Sequence, residues 1–291
     1  MTMRGAVPLI LAAGLALMPV CAQEKMKPAP VIRIDIESVK EGKAAAHEKL
    51  ETEWMATLRK SNFPGNYYAM SSLSGTDQVW WVEPLASFAA QEENDRYTGK
   101  EPLRAAMETL DTRDGEMRTS SRRMWAVYRP DLSYKPENLN LAKTRFVDLG
   151  TYRIRLGKDE EFAAGGKALF NAYAKGDVDM CILGYQVTAG APSGTFLFFT
   201  MMDSLKFLDG EPEREKALQA GMAESAYQQL MKGAGDVFVS MEDNLFAVKP
   251  GMSLPAQSVV DADSGFWKPK AAAKTSAPVS IPGPPEQKKD Q

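Results

Sequence analysis

The second half of this chain repeats the first, and that repeat limits the fold more than any motif does. Gly42-Lys43 closes an alternating segment and opens a helical one; Gly157-Lys158 does the same 115 residues later. Asn66–Gly75 (NYYAMSSLSG) aligns with Cys181–Gly190 (CILGYQVTAG) at the same offset. After a four-residue length difference, Ser87-Phe88 falls opposite Lys206-Phe207. Arg129-Pro130-Asp131-Leu132-Ser133 then matches Lys249-Pro250-Gly251-Met252-Ser253 at an offset of 120. The identities are few, but their common order and nearly constant spacing mark an internal duplication. Register is lost between Phe88 and Met124.

Each half predicts the same elements. Val31–Val39 alternates Ile32, Ile34 and Ile36 with Arg33, Asp35 and Glu37, the period of a half-buried strand. Ala44–Ser61 is helical, with His47, Leu50, Trp54 and Leu58 on its apolar stripe. Tyr67–Leu73 and Gln78–Glu83 are β-favouring runs around Ser74-Gly75-Thr76-Asp77, a hairpin signal. A helical region over Leu85–Leu110, broken near Gly99 and Pro102, leads to a strand at Met124–Tyr128. The second half predicts a strand at Phe146–Leu156, a helix at Glu160–Ala174 and a hairpin of Met180–Val187 with Thr195–Met201. A helical region at Pro212–Met231 and a last strand at Leu245–Val248 complete it. The order β-α-β-β-α-β is the ferredoxin-like unit, an antiparallel sheet with both helices on one face. Its bare face needs a cover, and a chain holding two such units can press the two sheets together. The expected fold is therefore α+β: two tandem ferredoxin-like units, 31–134 and 145–254, joined by a 135–144 linker and packed face to face as a pseudo-dimeric barrel.

These segments resemble the dimeric α/β-barrel superfamily, with its antibiotic-biosynthesis monooxygenase-like and NIPSNAP-like members. The likeness rests on the Gly-Lys helix start, the aromatic hairpin with Trp80-Trp81 and the Ser87-Phe88 helix start, and it spans about Val31–Ser253. It implies a fold more than an activity. Haem degradation in this superfamily uses a His on the second helix together with an Asn and a Trp. Trp81 matches the Trp position, but Ala89-Ala90-Gln91-Glu92 holds no His and the first strand holds no Asn. No cofactor is expected.

Outside the repeat, Met1–Arg4, the apolar run Ala6–Leu17 and Val20-Cys21-Ala22 read as a secretory signal peptide over residues 1–22. A 12-residue apolar run is too short to span a bilayer, which takes about 20 residues. Lipidation at Cys21 is a weaker reading, because Met18-Pro19-Val20 resembles a lipobox poorly. Residues 23–30 form a short lead, and 255–291, rich in Pro, Ala and Lys, read as a disordered tail. An exported protein, periplasmic or extracellular, is expected.

The chemistry is narrowed by what is scarce. The chain carries 35 Lys+Arg against 38 Asp+Glu, one His and two Cys. It lacks the basic field that holds nucleic acid and the ligands of a four-cysteine or His-rich metal site. His47 falls opposite Phe162 at the offset of 115, which marks it first as a packing position. Cys181 reads as a buried hydrophobe, Gly165-Gly166-Lys167 lacks the spacing of a phosphate loop, and Arg118, Arg122 and Arg123 read as a solvated loop. If Ile32, Ile34 and Ile36 pack under the helices, Arg33, Asp35 and Glu37 face the space between the sheets, with Arg153 and Arg155 at the corresponding place in the second half. The expected partner is a small aromatic or anionic organic molecule bound there by Arg33, Asp35, Tyr68, Trp81, Arg153, Arg155 and Tyr185. No catalytic residue and no metal site are expected, and the chain is expected as a monomeric pseudo-dimer or a homodimer. The alternatives are a cofactor-independent monooxygenase-like or isomerase-like enzyme in the same cavity, and a cell-envelope interaction protein.

Overall fold

A computed structural model describes residues 26–268. The signal-peptide reading, Cys21 and most of the expected tail lie outside the described residues. Eight strands form a closed antiparallel barrel. They are β1 (Val31–Val39), β2 (Tyr68–Ser72), β3 (Gln78–Leu85) and β4 (Arg118–Tyr128), then β5 (Phe146–Ile154), β6 (Ile182–Ala189), β7 (Thr195–Met202) and β8 (Phe238–Val248). Around the barrel the order is β1-β3-β2-β8-β5-β7-β6-β4. The first four strands are thus contiguous as β4-β1-β3-β2, the last four as β8-β5-β7-β6, and the seams β2–β8 and β4–β6 close the ring. At the second seam Gly190, with φ +87°, lets the backbone approach Arg123; a Cβ there would lie 2.0 Å from the Arg123 carbonyl oxygen.

The helices lie outside this ring. In the first half they are α1 (Ala44–Lys60), α2 (Phe88–Thr98) and α3 (Leu103–Gly115); the second half has α4 (Asp159–Lys175), α5 (Lys206–Asp209), α6 (Glu211–Gly221) and α7 (Glu224–Val237). The expected second helical region divides at 99–102, where Gly99 and Pro102 break it. Ser87 caps α2 by accepting from the Ala90 N–H. Among the described residues no helix is long and apolar enough to cross a membrane.

The barrel interior is a packed apolar core. Ile32, Ile34 and Ile36 meet Met124, Leu149, Leu183, Leu197 and Phe246 there, drawn from both halves and all nearly inaccessible to water. Burying such a side chain contributes roughly 1.5–3 kcal/mol, so the interior is the chief source of stability. This reverses the expected orientation of β1. The isoleucines face the other sheet, and Arg33, Asp35 and Glu37 face the helices. The physical reason is that closure of the ring leaves the interior dry, while the helix-covered face keeps a route to water.

Two further differences concern the ends of elements. β4 and β8 each begin earlier than expected, so the Arg118, Arg122 and Arg123 cluster is on a strand rather than in a loop. Residues 255–268 belong to the folded body instead of the tail. They form α8 (Gln257–Ala262) and α9 (Ser264–Trp267), and Trp267, 1% exposed, donates its indole N–H to the Ala142 carbonyl at 3.0 Å.

Candidate functional site

Between the outer face of β1 and β3 and helices α1–α3 lies a cleft of about 440 Å³. The strand period builds its floor. Arg33, Asp35 and Glu37 point outward from β1, and Trp81, paired in register with Asp35, points outward from β3. Helix α1 adds Glu51, Trp54 and Met55, and the end of α3 adds Asp111 and Asp114.

The inner end of the cleft is an ionic cluster. His47, 1% exposed, sets its Nε2 3.1 Å from Glu37 Oε2 and 3.3 Å from Asp114 Oδ1. Arg118, the first residue of β4, places one guanidinium nitrogen 2.5 Å from both Glu37 Oε1 and Asp114 Oδ2, and a second 2.9 Å from Asp111. Burial pulls the His47 imidazole down, but the close Asp114 carboxylate and the Glu37 carboxylate hydrogen-bonded to it outweigh this and hold its pKa up at about 9. Glu51, one turn along α1, is 5% exposed. Burial, then the neighbouring carboxylates of Glu37 and Asp114, push its pKa up to about 8. Glu37, His47, Glu51 and Asp114 each bring one donor atom to within 4.8 Å of all the others, a set able to hold a metal ion.

The outer part of the cleft is quieter. Arg33 pairs with Asp35 at 3.2 Å and with Glu83 at 3.0 Å, and Arg123 of β4 also reaches Asp35. The Arg33–Glu83 approach is off the line of the N–H, leaving both atoms without a hydrogen bond. These arginines therefore meet their acids along β1 and across its neighbouring strands, not across the two sheets. The buried Trp81 Nε1 and Gln91 Oε1, both on residues that line the cleft, lack partners among the described residues.

Of the seven residues singled out from sequence, the structure brings together three: Arg33, Asp35 and Trp81. Tyr68 and Tyr185 are on the inward face instead. Tyr68 packs edge-on against Trp267 at 6.0 Å, and Tyr185 donates its hydroxyl to the Ala29 carbonyl at 3.1 Å. Arg153 and Arg155 are exposed and form no ion pair among the described residues. The expected binding space between the sheets is filled by the apolar core, which cannot hold two unpaired guanidinium groups. Missed from sequence were Glu51, Asp114 and Arg118. A carboxyl four residues after His47 on an apolar stripe was the available signal for the first, and an Asp–Arg pair at i,i+4 where a helix passes into a strand for the others.

No family model matches the chain, and no curated protein matches it. Among solved structures, a candidate monooxygenase from Fusobacterium nucleatum subsp. nucleatum has a TM-score of 0.50 at 11% identity, covering 77% of this chain and 94% of its own. That likeness shows a shared fold. The match to the F. nucleatum protein exceeds the length of either half, so this barrel is likened to that one as a whole. A candidate monooxygenase from Lactobacillus acidophilus NCFM (TM-score 0.47, 9% identity, 79% of this chain and 97% of that one) and an anthrone oxidase-like protein (0.49, 11%, 75% and 91%) are also similar. At such identities the likeness is one of fold, and no residue role passes from these proteins to this chain.

Proposed function

We propose that this chain is an exported binding protein that takes a small aromatic molecule bearing positive charge in the cleft between β1, β3 and α1–α3. The observation that carries this reading is the composition of the cleft wall. Carboxylates outnumber guanidinium groups seven to three, and Trp54, Tyr67 and Trp81 supply ring surfaces. Each guanidinium already pairs with an acid, so the excess charge offered to a ligand is negative. This moves the ligand outward from the inter-sheet space and changes the expected anionic character to cationic. Export rests on the leader sequence. The matching strand orders β4-β1-β3-β2 and β8-β5-β7-β6 support a tandem pair of ferredoxin-like units whose sheets cover each other, leaving a monomer no need of a partner to close its barrel.

A second reading, an acid–base enzyme of the isomerase-like or cofactor-independent oxygenase-like kind, is favoured by Glu51. Its buried carboxyl lines the cleft and has no hydrogen bond among the described residues, so a bound substrate can reach it. A thermal-shift series separates charge from shape. Tyramine and tryptamine are expected to raise the melting temperature, and the matching arylacetates to leave it unchanged. Stabilisation by the acids alone contradicts the assignment, and turnover lost in Glu51→Gln would favour the enzyme.

A further inference from the structure

We propose that Glu37, His47, Glu51 and Asp114 form a site for one divalent first-row transition-metal ion at the inner end of the cleft. Three of these residues also line the cleft wall, but the ion site needs no organic ligand in the outer cleft.

Geometry is the first support. An ion bound at 2.0–2.2 Å by nitrogen and oxygen ligands in a tetrahedron sets those ligands about 3.3–3.6 Å apart. The two His47 Nε2–carboxylate separations, 3.1 and 3.3 Å, already lie close to that edge. The widest separation in the set, within 4.8 Å, closes by side-chain adjustment of about 1 Å.

The second support is Asp114 Oδ1. It is fully buried and has no hydrogen bond, since the His47 N–H at 3.3 Å is not aligned with it. An oxygen left so costs about 1–3 kcal/mol, which a bound cation removes. Arg118 explains why this oxygen faces inward. It holds the outer oxygens, Glu37 Oε1 and Asp114 Oδ2, and so turns Glu37 Oε2 and Asp114 Oδ1 toward His47. Groups that fix ligand orientation in this way are a regular part of metal sites.

Charge and access agree. Three carboxylates, Arg118, a neutral imidazole and a divalent ion carry no net charge, which a buried site requires. Glu37, Glu51 and Asp114 line the cleft, giving the ion a path from solvent. One imidazole with three carboxylates suits Mn2+, Fe2+ or Zn2+ better than the all-oxygen shells preferred by Mg2+ and Ca2+. The opposite half carries no such set: Tyr152 and Phe162 stand where Glu37 and His47 stand, at the same places in strand and helix.

The test uses the full chain, stripped with a chelator and titrated with Mn2+ followed by electron paramagnetic resonance and with Zn2+ by calorimetry. One ion per chain is expected, with a nitrogen coupling from His47 in the pulsed spectrum of bound Mn2+. Glu51→Gln, which has no hydrogen bond to lose, is expected to weaken binding by at least about tenfold, as is Asp114→Asn. Glu160→Gln, exposed in the second half and outside the cleft, is expected to leave ion uptake unchanged. Failure of the wild type to take up either ion overturns the proposal, as does uptake without nitrogen coupling or uptake unaltered in both Glu51→Gln and Asp114→Asn. Because ions alone are titrated, either result stands apart from the amine series.

Discussion

His47 and Phe162 hold the same place in the two halves of the barrel, each the fourth residue of the helix that follows its half's first strand. Around His47 stand Glu37 and Arg118, joined by ion pairs. Around Phe162, the seventh residue of β5 is Tyr152 and the first of β8 is Phe238, and Phe238 packs edge-on with Phe162 at 5.7 Å and with Tyr152 at 5.9 Å. One framework thus supports an aromatic cluster on one side and a buried ionic one on the other. The barrel does not need charge at these positions, so the charge in the first half points to function.

Removing Arg118 is expected to be costly, because it leaves Glu37 and Asp114 buried without their cation. Arg118→Met should lower the unfolding free energy by about 3 kcal/mol, at the low end for a broken buried pair since Arg118 keeps some exposure. Adding Glu37→Gln and Asp114→Asn should restore part of the loss, because the uncompensated charge goes with them. Urea denaturation of the single and triple variants measures both effects.

The metal-free protein is expected to lose stability as pH rises from weakly acidic to alkaline. Burial among carboxylates raises the Glu51 pKa from its ordinary 4.5 to about 8. The unfolded chain therefore releases this proton first, and stability falls between those two values. His47, raised from 6.5 to about 9, contributes stability that is complete below pH 6.5 and is lost as pH passes through 9. Each group contributes about 1.4 kcal/mol per pH unit while only the unfolded state titrates. The urea midpoint should be higher at pH 5.5 than at pH 9, and Glu51→Gln should flatten the fall between pH 5 and 8.

Strand alternation made the two faces of β1 legible in the sequence, but not which face is inward. Ile32, Ile34 and Ile36 could equally have lain under helices, and only closure of the barrel decides between the two sides. Periodicity found α1 and the break at Gly99 and Pro102 because these are local signals. The offset that placed Phe162 opposite His47 correctly marked a buried position, yet burial of an imidazole is compatible with either packing or an ion network. The deciding partners, Asp114 and Arg118, come from beyond the point where the repeat loses register, and their approach to Glu37 spans some 80 residues. The interval after Leu254 misled for a compositional reason: Trp267 anchors it through one deep contact that sparse apolar content hides.

That anchor yields its own prediction. Trp267→Ala should cost about 3–5 kcal/mol, since it empties a fully buried site against Ala142, Val259 and Tyr68. Replacing Lys268 should leave stability within about 0.5 kcal/mol of wild type. Thermal unfolding of the two variants makes the comparison.

The central claim is that a small molecule occupies the helix-side cleft and not the space between the sheets. Native mass spectrometry of the full chain purified gently from its source tests it most directly. The expected result is a small-molecule adduct that Trp54→Ala and Asp95→Asn lose, while Tyr185→Phe inside the barrel and Arg153→Ala at an exposed position outside the cleft retain it. An adduct lost in Tyr185→Phe but kept in Trp54→Ala would contradict the account and return the ligand to the barrel interior.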